Sequence, residues 1–301
     1  MKRLLIVYNP RSSQFKHVEA EVIDVARNLK GYMIGKYEVK PTDLDDNVKK
    51  FARVIRDGDL IISAGGDATA VIAANGLMRS KKEAMLGVLP YGNFNDLART
   101  LRAQSVEDIL EGKVIKYWPL EIIVDGKHFR YASSYVTIGM TAEAVELFDE
   151  PKVRKYLQGG HKSSWKSYLY LARWYFKNRH KKTFLPEFKL NGNLMHRKTS
   201  DYCAINGKTM ARVMKGGDWY LNAKTFRHQT DRLCNLWNLT RLMVRSIFKQ
   251  VPGTETRGDV IEFINPATVE LQAEGEYKIF ENVSKIEIKK SEQLIKCIAR
   301  R

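Results

Sequence analysis

The sequence predicts a two-domain protein. An N-terminal α/β domain, with a parallel sheet and helices on both faces, is followed by a mostly β second domain. Three observations predict this. Residues 59–99 contain two apolar runs, Leu60-Ile61-Ile62 and Met85-Leu86-Gly87-Val88-Leu89, each followed by small and turn-forming residues and then by a helical pattern. Strand–turn–helix units in series are the repeat from which a parallel α/β sheet is built. Around residues 114–120 this grammar gives way to strand-like runs separated by turns. A length of 301 residues is enough for two domains with cores of their own.

In chain order, residues 3–8 read as a buried strand and Asn9-Pro10-Arg11-Ser12-Ser13 as the turn after it. Val18, Val22, Val25, Ala26 and Leu29 recur at helical spacing. Residues 34–39 form a second strand. Leu44, Val48, Phe51, Ala52 and Ile55 mark a helix capped by Thr42 or Asp43. The two central units follow, then a short helix over 105–110 that ends at Gly112. The first domain is expected to span 1–118. In the second domain, 119–284, Asp125-Gly126 between strand-like runs at 121–124 and 127–137 is a hairpin signal. Further strand-like runs lie at 188–190, 194–196, 202–205, 260–264, 268–272 and 284–288. One helical insertion interrupts them at about 163–182. There Trp165, Tyr168, Leu169, Ala172, Tyr175 and Phe176 share one face, with Lys166, Arg173, Lys177 and Arg179 largely elsewhere. Such a basic amphipathic helix either packs on a sheet or lies on an anionic membrane.

The chemistry concentrates in the two turns of the central units, Ala64-Gly65-Gly66-Asp67-Ala68-Thr69 and Pro90-Tyr91-Gly92-Asn93-Phe94-Asn95-Asp96. In parallel α/β sheets ligands bind beyond the carboxyl ends of the strands, so these turns should lie side by side. Gly65 and Gly66 carry no Cβ and let the backbone approach a bulky anion, and the amides that follow open a helix N-terminus. Asp67 would repel a phosphate there. It fits a metal ion, bound directly or through water, or a group orienting an attacking hydroxyl; the alternative is an N-cap for a helix over 68–79. Gly92, Asn93, Asn95 and Asp96 add polar groups, and Arg99 follows one helical turn later.

Gly65-Gly66-Asp67 with the downstream Leu89-Pro90-x-Gly92-x-x-Asn95-Asp96-x-x-Arg99 resembles the diacylglycerol kinase catalytic-domain family, which includes bacterial lipid kinases, sphingosine kinases and ceramide kinases. The fold this implies is NAD kinase- and phosphofructokinase-like in the first domain and sandwich-like in the second, with a C-terminal segment from about 285 to 301 returning to the first domain. The resemblance extends to the first turn, where Asn9, Pro10 and Ser12 match and Ser13 replaces a glycine. Ala68 and Asn93 depart from the family's Gly and Thr. The resemblance implies ATP and Mg2+ as cofactors. It implies a nucleotide site of Asn9, Pro10, Ser12, Gly65, Gly66, Asp67, Thr69, Gly92, Asn93, Asn95 and Asp96, with Asp67 at the active-site Mg2+, directly or through water. In Ala273-Glu274-Gly275-Glu276-Tyr277, Glu276 matches the family's general base, and Glu274 replaces an aspartate. Without the resemblance this stretch is a hairpin turn with two solvated carboxylates. Asn206 matches a family asparagine. Asn222-Ala223 and Asp231-Arg232 are the nearest equivalents of a loop that holds a structural metal in some members, which makes Asp231 its candidate ligand; the spacing is longer and Arg232 stands for Gly.

Lysine and arginine number 51 against 34 acidic residues, a net charge of +17. So basic a surface favours nucleotide, nucleic acid or an anionic membrane face. No nucleic-acid-binding module is recognisable, so no specific nucleic-acid partner is expected. Cys203, Cys234 and Cys297 are widely spaced and form no metal or disulfide framework, which points to a reducing compartment. No window approaches a membrane span of about 20 apolar residues, and the apolar run after Met1-Lys2-Arg3 is short for a signal peptide. The expectation is a cytoplasmic protein, peripherally associated with anionic membranes, with a homodimer left open. The function expected is ATP-dependent phosphorylation of a hydroxyl on diacylglycerol or a similar lipid. The alternatives are a degenerate kinase fold that binds nucleotide or membrane without catalysis and, more distantly, an NAD kinase-like activity.

Overall fold

The computed structural model describes residues 2–12, 14–149, 153, 164–178, 185–210, 214–215, 223–232, 235–248 and 253–301. Ser13, Asn222 and Cys234 lie outside the described residues.

Six strands form the first sheet: β1 (Lys2–Tyr8), β2 (Tyr32–Glu38), β3 (Leu60–Gly65), β4 (Met85–Pro90), β5 (Lys113–Tyr117) and β18 (Ile295–Ala299), in the order β2-β1-β3-β4-β18-β5. All neighbours are parallel except β18 and β5. Successive side chains of a strand point to opposite faces, and the sequence exploits this to build two cores. Leu5, Val7, Ile61, Leu86 and Val88 face one way, under the helices Leu44–Val54 and Asp67–Ser80. Leu4, Ile6, Leu60, Ile62 and Leu89 face the other way, against Val18, Val22, Ile23 and Ala26. The latter lie on a helix that begins at Phe15–Val18, widens into a π turn over Glu19–Ile23 and closes with Asp24–Arg27. Strands buried on both faces read as continuous apolar runs, which is why this half of the fold is legible in the sequence. Asp43, rather than Thr42, caps the second helix, accepting from the Asp46 amide.

Among the described residues the second sheet holds ten strands, all antiparallel. Its main path, β15-β14-β11-β8-β16-β17-β6-β7, runs through β15 (Thr254–Thr256), β14 (Phe226–Asp231), β11 (Asp201–Ile205), β8 (Tyr135–Gly139), β16 (Gly258–Ala273), β17 (Glu276–Lys290), β6 (Leu120–Val124) and β7 (Lys127–Ala132). β9 (Phe188–Leu190) joins β16, and β10 (Asn193–Leu194) pairs with β9. The expected fold class holds: a parallel α/β sheet domain with a second, antiparallel β domain. Residues from both ends of the strand order, Ile122 and Ile288 with Tyr202 and Phe226, share one apolar core. The sheet thus folds over itself around the long β16 and β17, whose pairing shifts register between Glu262 and Val269.

Several expectations are corrected. The run at 127–137 is two strands, broken at Ser133 and Ser134, whose backbone groups turn to Asn206 and Glu274. The runs at 260–264 and 268–272 are one strand, β16. The chain stays in the second sheet through Lys290 and rejoins the first only at Ile295, later than the 285 expected. Besides the insertion helix Ser164–Asn178, the second domain carries helices Met140–Asp149 and Leu236–Phe248, which strand-like expectations missed. On Ser164–Asn178 the expected apolar face is only partly covered: Tyr175 is buried, whereas Leu169, Ala172 and Phe176 are exposed. The remaining side chains of that face, Trp165 and Tyr168, lie outside the described residues.

The chain crosses between the sheets twice, at 118–119 and 291–294, and one polar knot holds both crossings. Asn206 donates from Nδ2 to the carbonyls of Trp118 (3.1 Å) and Ser133 (2.8 Å). Lys290 Nζ donates to the Trp118 carbonyl (3.1 Å) and to Asn206 Oδ1, and the Ser291 amide donates to the Pro119 carbonyl (2.9 Å). A second tie joins helix Asp67–Ser80 to the edge strand β7: Asn75 Nδ2 donates to the Tyr131 carbonyl and Asn75 Oδ1 accepts from the Tyr131 amide, both at 2.9 Å.

Asn206→Ala would strip donors from two carbonyls and an acceptor from Lys290. It is expected to lower the urea unfolding free energy by about 1–3 kcal/mol, whereas Asn193→Ala on the exposed β10 should stay within about 0.5 kcal/mol. Equal effects would show that the knot does not hold the crossing.

Candidate active site

In the strand order β2-β1-β3-β4, the connection after β1 runs to one side and that after β3 to the other. Such a switch point opens a crevice at the carboxyl ends of the two strands. The turn Asn9–Ser12 follows β1 and the turn at Gly66 follows β3, with Tyr8 opposite Ala64 in register. Asn9 and Ser12 build their own turn: Asn9 Oδ1 accepts from the Arg11 amide (2.9 Å) and Ser12 Oγ from the Gln14 amide (3.3 Å). Pro10 lies between them, partly accessible.

The two glycine-bearing turns touch. A Cβ on Gly92 would lie 2.3 Å from Gly66 Cα, and one on Gly65 would lie 2.4 Å from Thr69 Oγ1. A side chain at position 92 would drive the two turns apart. Gly66 caps helix Asp67–Ser80, so Asp67 is that helix's first residue and not its N-cap. Its carboxylate instead reaches the neighbouring turn. Oδ2 accepts from the Asn95 amide and Oδ1 from the Asp96 amide, both at 3.0 Å, at the start of helix Asp96–Leu101. Asn95, in the left-handed region at φ 57°, staples the turn from within, accepting from the Gly92 amide (2.8 Å) and donating to the Gly92 carbonyl (2.6 Å). Ala68 lies in the right-handed helix, where a Cβ costs nothing, and Asn93 has no positive φ. Arg99 Nε donates to the Phe94 carbonyl (2.8 Å) on the exposed side and braces the turn.

Asp67, partly accessible at the crevice, stands with two buried carboxylates, Asp96 and Glu274. Burial, then the charge of Asp96, raises Asp67 to about 6 against the pull of the two amides. Glu274 comes from the second sheet. With Gly275 it forms the two-residue turn between β16 and β17, both at positive φ (54° and 88°), a conformation that disfavours a side chain such as glutamate. Its Oε1 accepts from the Ser134 amide. Burial raises Glu274 to about 8, with the charges of Asp67 and Asp96 adding to the shift. The same three carboxylates help to push the buried Tyr135 hydroxyl well above its ordinary range. A further link crosses from the second domain: Thr209 Oγ1, on the short strand β12 (Thr209–Met210), donates to Asp96 Oδ1 at 2.6 Å.

Glu276 opens β17 only two residues on, with its side chain 38% exposed and Oε2 4.0 Å from Arg130 Nη1. Arg130 also bonds Asp45 across the domains at 3.0 Å. The turn 273–277 therefore carries one buried carboxylate and one accessible one, not two solvated ones. Glu274, Thr209 and Arg130 were not among the expected site residues. For Glu274 the sequence offered only a carboxylate before Gly275 in a hairpin turn, without saying that it turns inward; Thr209 and Arg130 offered no signal. Asp231 lies far along the second sheet, accepting from Gln229 Nε2 (2.7 Å) opposite Asp201. Among the described residues no three of His, Cys, Asp and Glu converge as a metal cage.

Residues 3–126 match the family model of the diacylglycerol kinase catalytic domain. A diacylglycerol kinase of Bacillus subtilis is 38% identical over 113 residues, 37% of this chain and 36% of that protein. One of Staphylococcus carnosus is 31% identical over 122 residues, 38% of this chain and 39% of that protein. The matched stretch thus spans less than two-fifths of the curated relatives' length. The crystal structure of a diacylglycerol kinase from Bacillus anthracis superposes with a TM-score of 0.66, over 99% of this chain and 97% of that one, at 17% identity. That likeness shows a shared fold across both domains. The stretch of this chain that is similar to the diacylglycerol kinase catalytic domain is thus residues 3–126.

Proposed function

We propose that the protein is an ATP-dependent kinase that phosphorylates a hydroxyl of diacylglycerol or a similar lipid in the crevice between its two domains. The observation that carries this reading is geometric: Asp67 accepts from the Asn95 and Asp96 amides within the family-matched stretch, and Thr209 of the second domain donates to Asp96 Oδ1 at 2.6 Å. The ATP phosphates would lie over Gly65, Gly66 and the turn 92–95, where backbone amides open helix Asp67–Ser80. Asn9, Pro10 and Ser12 border the same crevice through the β1–β3 register.

A divalent cation fits Asp67 and Asp96. Burial and then their mutual repulsion raise Asp67, a nearby positive charge would relieve the repulsion, and Mg2+ is commonly held by one or two carboxylates together with substrate phosphates. When bound, Mg2+ neutralises charge on the phosphoryl oxygens. The lipid hydroxyl would lose its proton to the accessible Glu276 carboxylate as its oxygen attacks the γ-phosphorus. The bond to the leaving ADP oxygen then breaks. Arg130 positions Glu276 at the mouth of the site. Glu274, protonated at neutral pH, would place no further negative charge beside the phosphates. The right-handed backbone at Ala68 removes the steric objection to catalysis that its departure from glycine raises. A lipid acceptor calls for work at a bilayer surface, and peripheral attachment to an anionic membrane suits a chain of net charge +17. Among the described residues no helix is long and apolar enough to cross a membrane.

Phosphate transfer from ATP to diacylglycerol in mixed micelles should require Mg2+ and fall by about 10²–10⁴-fold in Glu276→Gln. A folded protein that transfers phosphate to no lipid hydroxyl would sink the proposal. Glu274 yields a separate expectation. Its folded pKa of about 8 lies above the ordinary 4.5, so the native state keeps a proton that the unfolded state has released. Stability therefore falls as pH rises through that window. In Glu274→Gln this slope is lost, so the variant's melting temperature should gain on the wild type from pH 5 to pH 8. Parallel curves would place Glu274 in solvent.

A further inference from the structure

The helix Leu236–Phe248 presents an apolar stripe outward. Trp237 is 72% exposed, Val244 50% and Phe248 75%. These positions are seven and eleven residues apart from the first, and so lie on one helical face. Arg241, also exposed, stands among them, and its charge offsets part of the rise that burial imposes on Asp231. Thirteen residues make a rod of about 20 Å, too short to span a bilayer.

The charge around this helix is one-sided. From Arg232 to Thr254 the sequence carries four Lys or Arg and no carboxylate. From Pro151 to Pro186, around the other inserted helix, it carries ten and again no carboxylate. These two stretches together hold fourteen of the seventeen net positive charges. Both inserted helices meet the same small hairpin. Tyr175 of helix Ser164–Asn178 packs in one apolar cluster with Met210 of β12. Met210 pairs with Met214 of β13 (Met214–Lys215), and helix Leu236–Phe248 lies against β13. The residue next to Met210 is Thr209, which bonds Asp96 in the candidate active site.

We propose that helix Leu236–Phe248 docks in the plane of an anionic bilayer surface. Trp237, Val244 and Phe248 enter the acyl boundary, and Arg241 stays with the headgroups. Apolar side chains on a segment whose sequence carries cations and no carboxylate complement such a surface. The docking stands on the stripe and the charge. Its purpose, to bring a membrane-borne acceptor beside the β12–β13 hairpin, rests on the lipid-kinase reading.

The test is co-sedimentation of the full chain, without ATP, with phosphatidylcholine vesicles containing none or about one-third phosphatidylglycerol. The wild type should bind the anionic vesicles, more weakly as salt rises. The double variant Trp237→Ser/Phe248→Ser should partition on the order of tenfold or more less, with its melting temperature unchanged because both side chains are exposed. Arg241→Gln should weaken binding to the anionic vesicles only. A wild type that ignores vesicles, or a double variant that binds as well as the wild type, would overturn the proposal. So would a wild-type dimer that the double substitution dissociates, since a second copy would then cover the stripe. Vesicle binding through the stripe without phosphate transfer would remove the kinase reading and leave the docking intact; transfer in micelles without vesicle binding would do the reverse.

Discussion

The Asp67 carboxylate is the contact on which the rest of the site depends. One side chain, at the first position of its helix, accepts from two successive amides at the start of the next helix in the sheet. Those amides would otherwise lack partners, as helix N-terminal donors do. The interaction fixes the spacing of two turns that could otherwise move independently, and Gly66 and Gly92 allow it by letting the backbones touch. It has an electrostatic consequence. Reaching across brings Asp67 up against Asp96, so the site acquires repelling negative charge before any ligand arrives. A cation or a proton relieves that repulsion.

Among the described residues the second domain answers the first at four places, including the Lys208 amide on Thr100 Oγ1, and each uses a side chain against backbone or charge. Thr209 bonds Asp96, Asn75 bonds the Tyr131 peptide, and Arg130 spans Asp45 and Glu276. The Asn206–Lys290 knot ties the two crossing segments together. The relative placement of the carboxylates from the two halves is therefore set by specific hydrogen bonds, which are directional, rather than by apolar packing, which is not.

What the sequence made legible follows from period and locality. The first sheet could be read because its strands are buried on both faces and its turns are made within a few residues. Glycine, asparagine and aspartate at 65–67 and 92–96 announce their geometry locally. The roles of Asp67 and Glu274 could not be read the same way. Nothing near Asp67 says that it serves the next helix. Nothing in Glu274-Gly275-Glu276 says which carboxylate turns inward, since that depends on Ser134, some 140 residues away. Helix Leu236–Phe248 went unread within a stretch taken as mostly strand, and its Trp237, Val244 and Phe248 are exposed.

The buried ionisable groups also show that the site works against the fold that holds it. Glu274 and Lys290 stand near opposite ends of β17, and burial drives their pKa values toward each other, up to about 8 for one and down to about 7 for the other. The cost of burying Glu274 is absent in acid and grows until pH passes 8. The cost of burying Lys290 is full below 7 and fades only as pH climbs toward the ordinary 10.5 of a lysine. Added together, the two costs are greatest between about pH 7 and 8, where both side chains are largely uncharged in the folded protein. A fold selected for stability alone would place apolar residues at both positions. Keeping a proton-holding carboxyl group near Asp67 and Asp96 spares the site a further negative charge, and a neutralised amine at the domain crossing still donates to the Trp118 carbonyl and to Asn206 Oδ1.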